Sequence, residues 1–305
     1  MKKEPLVSIA LCTYNGEKHL EQQLDSLLAQ TYSNLEVVIA DDCSTDNTFG
    51  IISNYTEKDI RIKCFKNDTN LGFNKNFERA INLTTGEYIA ISDQDDIWLP
   101  HKIESLLSHI ENKWLIFSNS SFINDDNETL EGQMLYGFNP AEHNYKCTLL
   151  ANFVTGHTVL FKKDFINYFL PFPHNGFYDW WMGLIALYHE EIIFLDEVLT
   201  KHRVHKHSVM QERLRSGGEE SEEVRAIDQM LSAFSEYKYL KNDDRLFVAK
   251  LRDVYKADLY QRNTIPLIKT ILKNYNDLFC YHKKRTGFSL FNFALKYAYK
   301  VKKHV

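Results

Sequence analysis

The chain lacks both glycine-rich signatures that cradle phosphate on backbone N–H groups. No G-x-G-x-x-G follows its first apolar run, and no G-x-x-x-x-G-K-[ST] occurs anywhere. Dinucleotide and P-loop modes of phosphate binding are therefore without support. No stretch approaches the ~20 apolar residues of a membrane span. The opening MKKEPLVSIALCTYNG has too short an apolar run for a signal peptide and reads as a first strand. Cysteine is sparse. Cys12, Cys43, Cys64, Cys147 and Cys280 form no C-x-x-C pair and are odd in number, so they read as neutral thiols of a reducing compartment. A net charge of −5 gives no push toward nucleic acid. There are no internal repeats.

What is present is aromatic, apolar and well patterned. Thirty-seven Tyr and Phe residues in 305 favour a packed chain over a disordered one, and the length suits one large domain or a domain with an appendage. Up to residue 118, apolar runs of strand length alternate with helical spacing. Leu6–Cys12, Leu35–Ala40, Ile62–Phe65, Tyr88–Ser92 and Trp114–Ser118 read as strands. Leu20, Leu24, Leu27 and Leu28 mark one helical face, Phe73, Phe77, Ala80 and Ile81 another, and Ile103, Leu106, Leu107 and Ile110 a third. This predicts an α/β fold with a mostly parallel central sheet, covered on both faces. Past Asn119 the pattern loosens. Thr158–Phe161, Ile192–Leu195 and Val198–Val204 read as further strands, and Asp179-Trp180-Trp181 opens an apolar helix. Ser216-Gly217-Gly218 and the glutamates after it mark a boundary, beyond which the chain is helical, with little Gly or Pro.

Ligands bind beyond the carboxyl ends of the strands in such sheets. Three strand ends carry polar groups here: Thr13-Tyr14-Asn15-Gly16, Asp41-Asp42, and Asp93 through Asp96. In EYIAISDQDDIWL three carboxylates fall within four positions between apolar runs. Carboxylates so close repel unless a cation sits among them. A hard divalent cation, Mn2+ or Mg2+, takes oxygen ligands and often shares them with phosphate. A solvated acidic loop is the bland alternative, and the flanking apolar residues weigh against it. Asp41-Asp42 suits a capping role before Ser44, Thr45 and Asp46 as well as a ligand role. Tyr14 suits a core edge or a stacking face for a base.

The stretch SIALCTYNGEKHLEQQLDSLLAQTYSNLEVVIADDCSTDNT resembles the opening of the family-2 inverting glycosyltransferases with the GT-A fold. SDQDDIW resembles their D-x-D signature, and TGHTVLF, YDWW and HRVH follow in the family's order. The resemblance covers roughly residues 5–210. It implies a GT-A domain over 1–210, with a nucleotide-binding half to about 118 and an acceptor half from about 119, followed by a helical region over 211–305. It also implies roles. Thr13, Tyr14 and Asn15 would bind the nucleotide-sugar, the first two lining the base pocket. Asp42 would accept from a pyrimidine nitrogen, and Asp93 would lie near the ribose. Asp95 would bind the metal, with His205 as a further contact. His202-Arg203 stands where members often have Tyr-Arg. Asp179 matches the catalytic base, a role compatible with capping the helix before Trp180. His157 and Trp180 would border the acceptor, a structural His being the alternative for His157.

The expected activity is therefore a metal-dependent inverting sugar transfer from a nucleotide-sugar to a hydroxyl of a glycan or lipid-linked acceptor in cell-surface polysaccharide synthesis. DQDDIW resembles the rhamnosyltransferase-like branch, which favours dTDP-L-rhamnose as donor, with UDP-hexoses behind it. A nucleotidyltransferase and a non-catalytic sugar-binding protein are the competing readings. From Tyr281 to Val305 the sequence has seven Lys or Arg and no acid. Phe288, Phe291, Leu295, Ala298 and Tyr299 share one helical face there, which suits peripheral contact with the inner face of the cell membrane as well as a docked helix. The expected location is cytoplasmic.

Overall fold

In the computed structural model, residues 4–174, 176–204 and 219–303 are described. The N-terminal portion alternates as its apolar spacing predicts: β1 (Val7–Thr13), α1 (Leu20–Leu28), β2 (Leu35–Asp41), α2 (Thr48–Lys58), β3 (Ile62–Lys66), α3 (Phe73–Leu83) and β4 (Tyr88–Ser92). There follow β5 (Ile97–Trp98), α4 (Lys102–His109), β6 (Leu115–Ile123), β7 (Thr129–Gln133), β8 (Val159–Lys162), α5 (Ile166–Phe169), α6 (Tyr178–Tyr188) and β9 (Ile192–Arg203). Nine strands form one sheet in the order β3-β2-β1-β4-β8-β6-β9-β5, with β7 on β6. The β3-β2-β1-β4 portion is parallel, and β8 pairs antiparallel to both β4 and β6.

Every residue of β2 is buried, as a central parallel strand covered on both faces requires. Leu20, Leu24 and Leu27 of α1 are fully buried in one cluster with Val7, Ile9 and Leu11 of β1. Burying each such side chain contributes about 1.5–3 kcal/mol. The parallel register sets Thr13 opposite Asp41 and Leu11 opposite Ser92. The three polar strand ends therefore lie along one rim of the sheet.

The sequence predicts two strands where the structure has the single β9. Its pairing with β6 jumps from Leu195–Ser118 to Val198–Asn119, so Asp196 and Glu197 bulge out of the ladder. Polar residues at a bulge read in sequence as a strand break.

The described residues divide into two compact units. One comprises residues 4–142, 153–174 and 178–204; the other comprises 143–152, 176–177 and 219–303. The second contains α7 (Glu219–Ser235), α8 (Asn242–Gln261), α9 (Thr264–Leu278) and α10 (Gly287–Lys303). Its core is built from positions three and four apart, such as Ile227, Leu231 and Phe234 of α7 with Val248, Leu251 and Tyr255 of α8. It also takes in 143–152, which the sequence places within the acceptor half.

One cysteine expectation is corrected here. Cys147 and Cys280, with Cα atoms 5.7 Å apart, are joined in a disulfide, while Cys12, Cys43 and Cys64 are free thiols. A separation of 133 residues hid the pairing from any spacing argument. Among the described residues no helix is long and apolar enough to cross a membrane.

Candidate active site

The rim begins at the end of β1. Thr13 Oγ1 donates to Asp41 Oδ1 at 3.0 Å, and Asp41 also accepts from the Ser44 amide and hydroxyl. Asp41 is thus consumed in shaping the turn after β2. Asn15, at φ 48°, receives that turn: its amide donates to Ser44 Oγ, and its side-chain oxygen accepts from the Thr45 amide. Tyr14 is 47% exposed and its backbone is gripped from both sides by Gln94. The Tyr14 amide donates to Gln94 Oε1 at 2.8 Å, and Gln94 Nε2 donates back to the Tyr14 carbonyl at 3.1 Å. Gly16 permits the grip, because a Cβ there would overlap the Gln94 amide.

Asp42 is buried against the loop that precedes α3. Its Oδ1 accepts from Asn67 Nδ2 and the Leu71 amide, both at 2.7 Å, and its Oδ2 accepts from the Gly72 amide at 2.9 Å. A carboxylate offers about four lone-pair sites. Three are taken by this loop, which leaves Oδ2 capacity for one more donor.

The acidic stretch after β4 divides into different fates. Asp93 is about one-third exposed, and its Oδ2 lies 3.8 Å from His157 Nδ1. Asp95 is partly exposed, and its backbone carbonyl accepts from Arg203 Nε at 2.8 Å. Asp96 is fully buried: Oδ1 accepts from the Arg203 amide at 3.0 Å and pairs with His202 Nδ1 at 2.9 Å. Its Oδ2 is buried without a hydrogen-bond partner and lies 3.7 Å from His157 Nδ1. Burial alone would raise the Asp96 carboxyl, but His157 and His202 hold it below the ordinary carboxylate range. Burial likewise would lower His202, and the facing Asp96 pushes it up instead, to about 9. The two imidazoles stack at 4.4 Å, and His157 Nε2 reaches Ser120 Oγ at 3.1 Å.

Beneath this cluster lies Lys102, fully buried on the inner face of α4. Its ammonium sits 3.6 Å over the Trp98 ring, donates to the His157 carbonyl and reaches Thr200 Oγ1 at 2.8 Å. Burial lowers its pKa well below the usual lysine value, against the opposing pull of Asp96 and Asp93. Lys102 thereby fixes the turn that carries His157. Arg203 does the same for the acidic loop. Its buried guanidinium donates to the carbonyls of Asp95 and Asn124 and to the side chains of Gln22 and Asn127.

Asp179 lies in the first turn of α6, where its Oδ1 accepts from the Trp180 amide at 2.7 Å. Burial raises its carboxyl to about 7, with the charge of Asp93 adding to the rise. A carboxyl with that pKa near an acid cluster is poised to take a proton at neutral pH.

Asp96, His157 and His202 each offer a ligand atom within 4.8 Å of one another. The buried, unpartnered Asp96 Oδ2 makes the set fit a cation, with Asp93 Oδ2 close by. An imidazole nitrogen among oxygens suits Mn2+ better than the oxygen-demanding Mg2+.

The residues expected from sequence fall into distinct places. Thr13, Tyr14, Asn15, Asp42 and Asp93 all lie at the strand-end rim. His205 lies outside the described residues. His157 and Trp180, expected to border the acceptor, are both buried. His157 is 2% exposed and faces the acidic cluster, while Trp180 is 4% exposed and packs in the core. Sequence reasoning placed Asp96 in the acidic cluster but missed Gln94 and Lys102, and gave His202 and Arg203 no contact with Asp96. One signal was readable: Lys102 sits four residues before Leu106, on the inward stripe of α4. His202 and Arg203 meet Asp96 only through the crossing of β9, more than a hundred residues on.

The pattern recurs in known proteins. The enzyme named UDP-Glc:alpha-D-GlcNAc-diphosphoundecaprenol beta-1,3-glucosyltransferase WfaP, of Escherichia coli, is 31% identical over 182 residues, 59% of this chain and 70% of that protein. The crystal structure of S. aureus TarS 1–349 in complex with UDP-GlcNAc matches with a TM-score of 0.61 at 16% identity, over 98% of this chain and 91% of that one. The mannosyltransferase PcManGT from Pyrobaculum calidifontis, in complex with GDP-Man and Mn2+, matches with a TM-score of 0.59 at 16% identity, over 99% and 84%. The sequence profile of Glycosyl transferase family 2 spans residues 8–169, from β1 into α5, and covers the whole rim of polar strand ends. The chain therefore belongs to glycosyl transferase family 2 and is a glycosyltransferase with a GT-A-like α/β fold.

Proposed function

We propose that this enzyme transfers a sugar, with inversion, from a pyrimidine nucleotide-sugar to a hydroxyl of a glycan or lipid-linked acceptor in cell-surface polysaccharide synthesis. The observation that carries the reading is the gathering of Asp42, Asp93 and Asp96 along one rim of strand ends, with the buried carboxyl of Asp179 raised to about 7 in the field of Asp93. Family membership leaves the nucleotidyltransferase and the non-catalytic binder without support.

In this reading Tyr14, held by Gln94, lines the base, and the free capacity of Asp42 Oδ2 accepts from the pyrimidine ring. Asp96 and His157, with Asp93 close by, would hold the cation, and the family resemblance would add Asp95 and His205. When bound, the cation supplies Lewis-acid help by offsetting charge on the departing diphosphate. Asp179 accepts the proton of the acceptor hydroxyl as its oxygen attacks the anomeric carbon from the face opposite the leaving group. The bond to the diphosphate breaks as the new bond forms, which inverts the centre.

For the donor, DQDDIW favours dTDP-L-rhamnose, whereas the names of WfaP and of its counterpart WfgD favour UDP-glucose. Both are pyrimidine nucleotides, as the Asp42 assignment requires. Calorimetry with UDP, dTDP and GDP, each with and without Mn2+, tests the reading. Pyrimidine diphosphates should bind only with the cation, and Asp95→Ala should remove that dependence. Tightest binding of GDP, or full turnover in excess chelator, would overturn it.

A further inference from the structure

Helix α10 presents two faces of unlike fate. Its inner face is packed: Ala294, Ala298 and Val301 are buried, and the Phe293 ring lies 5.2 Å from Tyr275 of α9 and 4.9 Å from Phe279. Ala298 therefore belongs to the inner face and not to the outer stripe. The outer stripe is Phe288, Phe291, Leu295 and Tyr299, at positions i, i+3, i+7 and i+11 of one helix. All four are exposed, Phe288 at 83% and Tyr299 at 64%. Two exposed phenylalanines, a leucine and a tyrosine in line along one helix are more than the scattered apolar residues of an ordinary surface.

Charge accompanies the stripe. Seven of the chain's 36 basic residues fall between Tyr281 and Val305, a span with no Asp or Glu, although the chain as a whole is at −5. Lys283, Lys284 and Lys296 are exposed, whereas Lys300 is engaged by Glu223 at 2.7 Å. An apolar row bordered by cations matches the boundary between headgroups and acyl chains of an anionic bilayer. A second copy packed through the same face would set this cation-bordered row, which has no Asp or Glu, against itself.

We propose that the outer face of α10 is a peripheral membrane-binding surface for anionic lipid. Phe288, Phe291, Leu295 and Tyr299 enter the headgroup–acyl boundary, and Lys283, Lys284 and Lys296 meet lipid phosphates. The surface goes beyond the proposed transfer reaction, and because its assay reads no turnover, either reading can fail without the other.

The test is co-sedimentation of the full chain with vesicles of phosphatidylglycerol mixed with phosphatidylcholine, against phosphatidylcholine alone. Binding is expected on the anionic vesicles only, and it should weaken as salt rises. Phe288→Ser with Tyr299→Ser should weaken binding on the order of tenfold or more. Lys283→Gln with Lys284→Gln and Lys296→Gln should remove most of the salt dependence. These positions are exposed, so unchanged thermal melting confirms that folding is intact. The proposal is overturned if anionic vesicles are ignored at low salt, if neutral vesicles bind equally, or if the serine variant binds as well as the parent. It is also overturned if sedimentation velocity shows a dimer that the serine substitutions dissolve, since a second copy would then cover the stripe.

Discussion

Two carboxylates in this molecule are pushed in opposite directions, and each direction has a measurable consequence. Asp179 is raised to about 7 by burial and by Asp93. Only its ionised form accepts a proton, so kcat/KM should rise with pH through a midpoint near 7. Asp179→Asn keeps the shape and loses the acceptor. Turnover should fall on the order of 10²–10⁴-fold, with nucleotide affinity little changed. Parental turnover in that variant would move the base elsewhere. Glu36 is the converse. Burial would raise it, but Lys63, Ser8 and Thr85 donate to it and lower it to about 2. A group depressed in the folded state contributes stability above its ordinary value, near 4.5, and loses it as pH falls toward 2. Glu36→Gln should therefore cost about 1–3 kcal/mol at neutral pH, and the gap in melting temperature from the parent should close as pH drops from 4.5 to 2. A gap that ignores pH would mean that packing, and not charge, sets the cost.

At the scale of elements, the rim proposed to bind nucleotide depends on a side chain from one strand end holding the backbone of another. Gly16→Ala places a methyl against the Gln94 amide. Losing two hydrogen bonds to Tyr14 should cost about 1–2 kcal/mol of nucleotide affinity. Gln94→Ala should cost the same, and the double variant should be no worse than either single change, because both act on one contact. Additive losses in calorimetry would refute the grip. This rim was legible in the sequence because each strand end is local: Thr13, Asp42 and Asp93 directly terminate apolar runs. What was not legible came from crossings. His202 and Arg203 reach Asp96 only because β9 turns toward β5, after a bulge at Asp196 and Glu197 that made the strand read as two.

At the scale of the whole molecule, the Cys147–Cys280 link makes a count. Thiol titration in denaturant without reductant should find three reactive groups, rising to five after reduction. Cys280→Ser should lower unfolding stability by about 2–4 kcal/mol. Five reactive thiols without reduction would remove the link. The helical unit was legible only as helices, since nothing local announces that 143–152 packs with residues far down the chain. The Arg203 anchor has a consequence in time. Its guanidinium binds groups from α1, from the loop after β4 and from the loop after β6, all of which leave the ribosome before it does. Until residue 203 emerges, the carbonyl of Asp95 and the carboxylate of Asp96 lack the partners that hold their loop. A nascent chain can complete the β3-β2-β1-β4 half of the sheet early, but it cannot hold its acidic loop in the working shape until the last strand arrives. Competence to bind donor is thus deferred until the unit is nearly whole, and an interrupted translation product carries the acidic motif without its geometry.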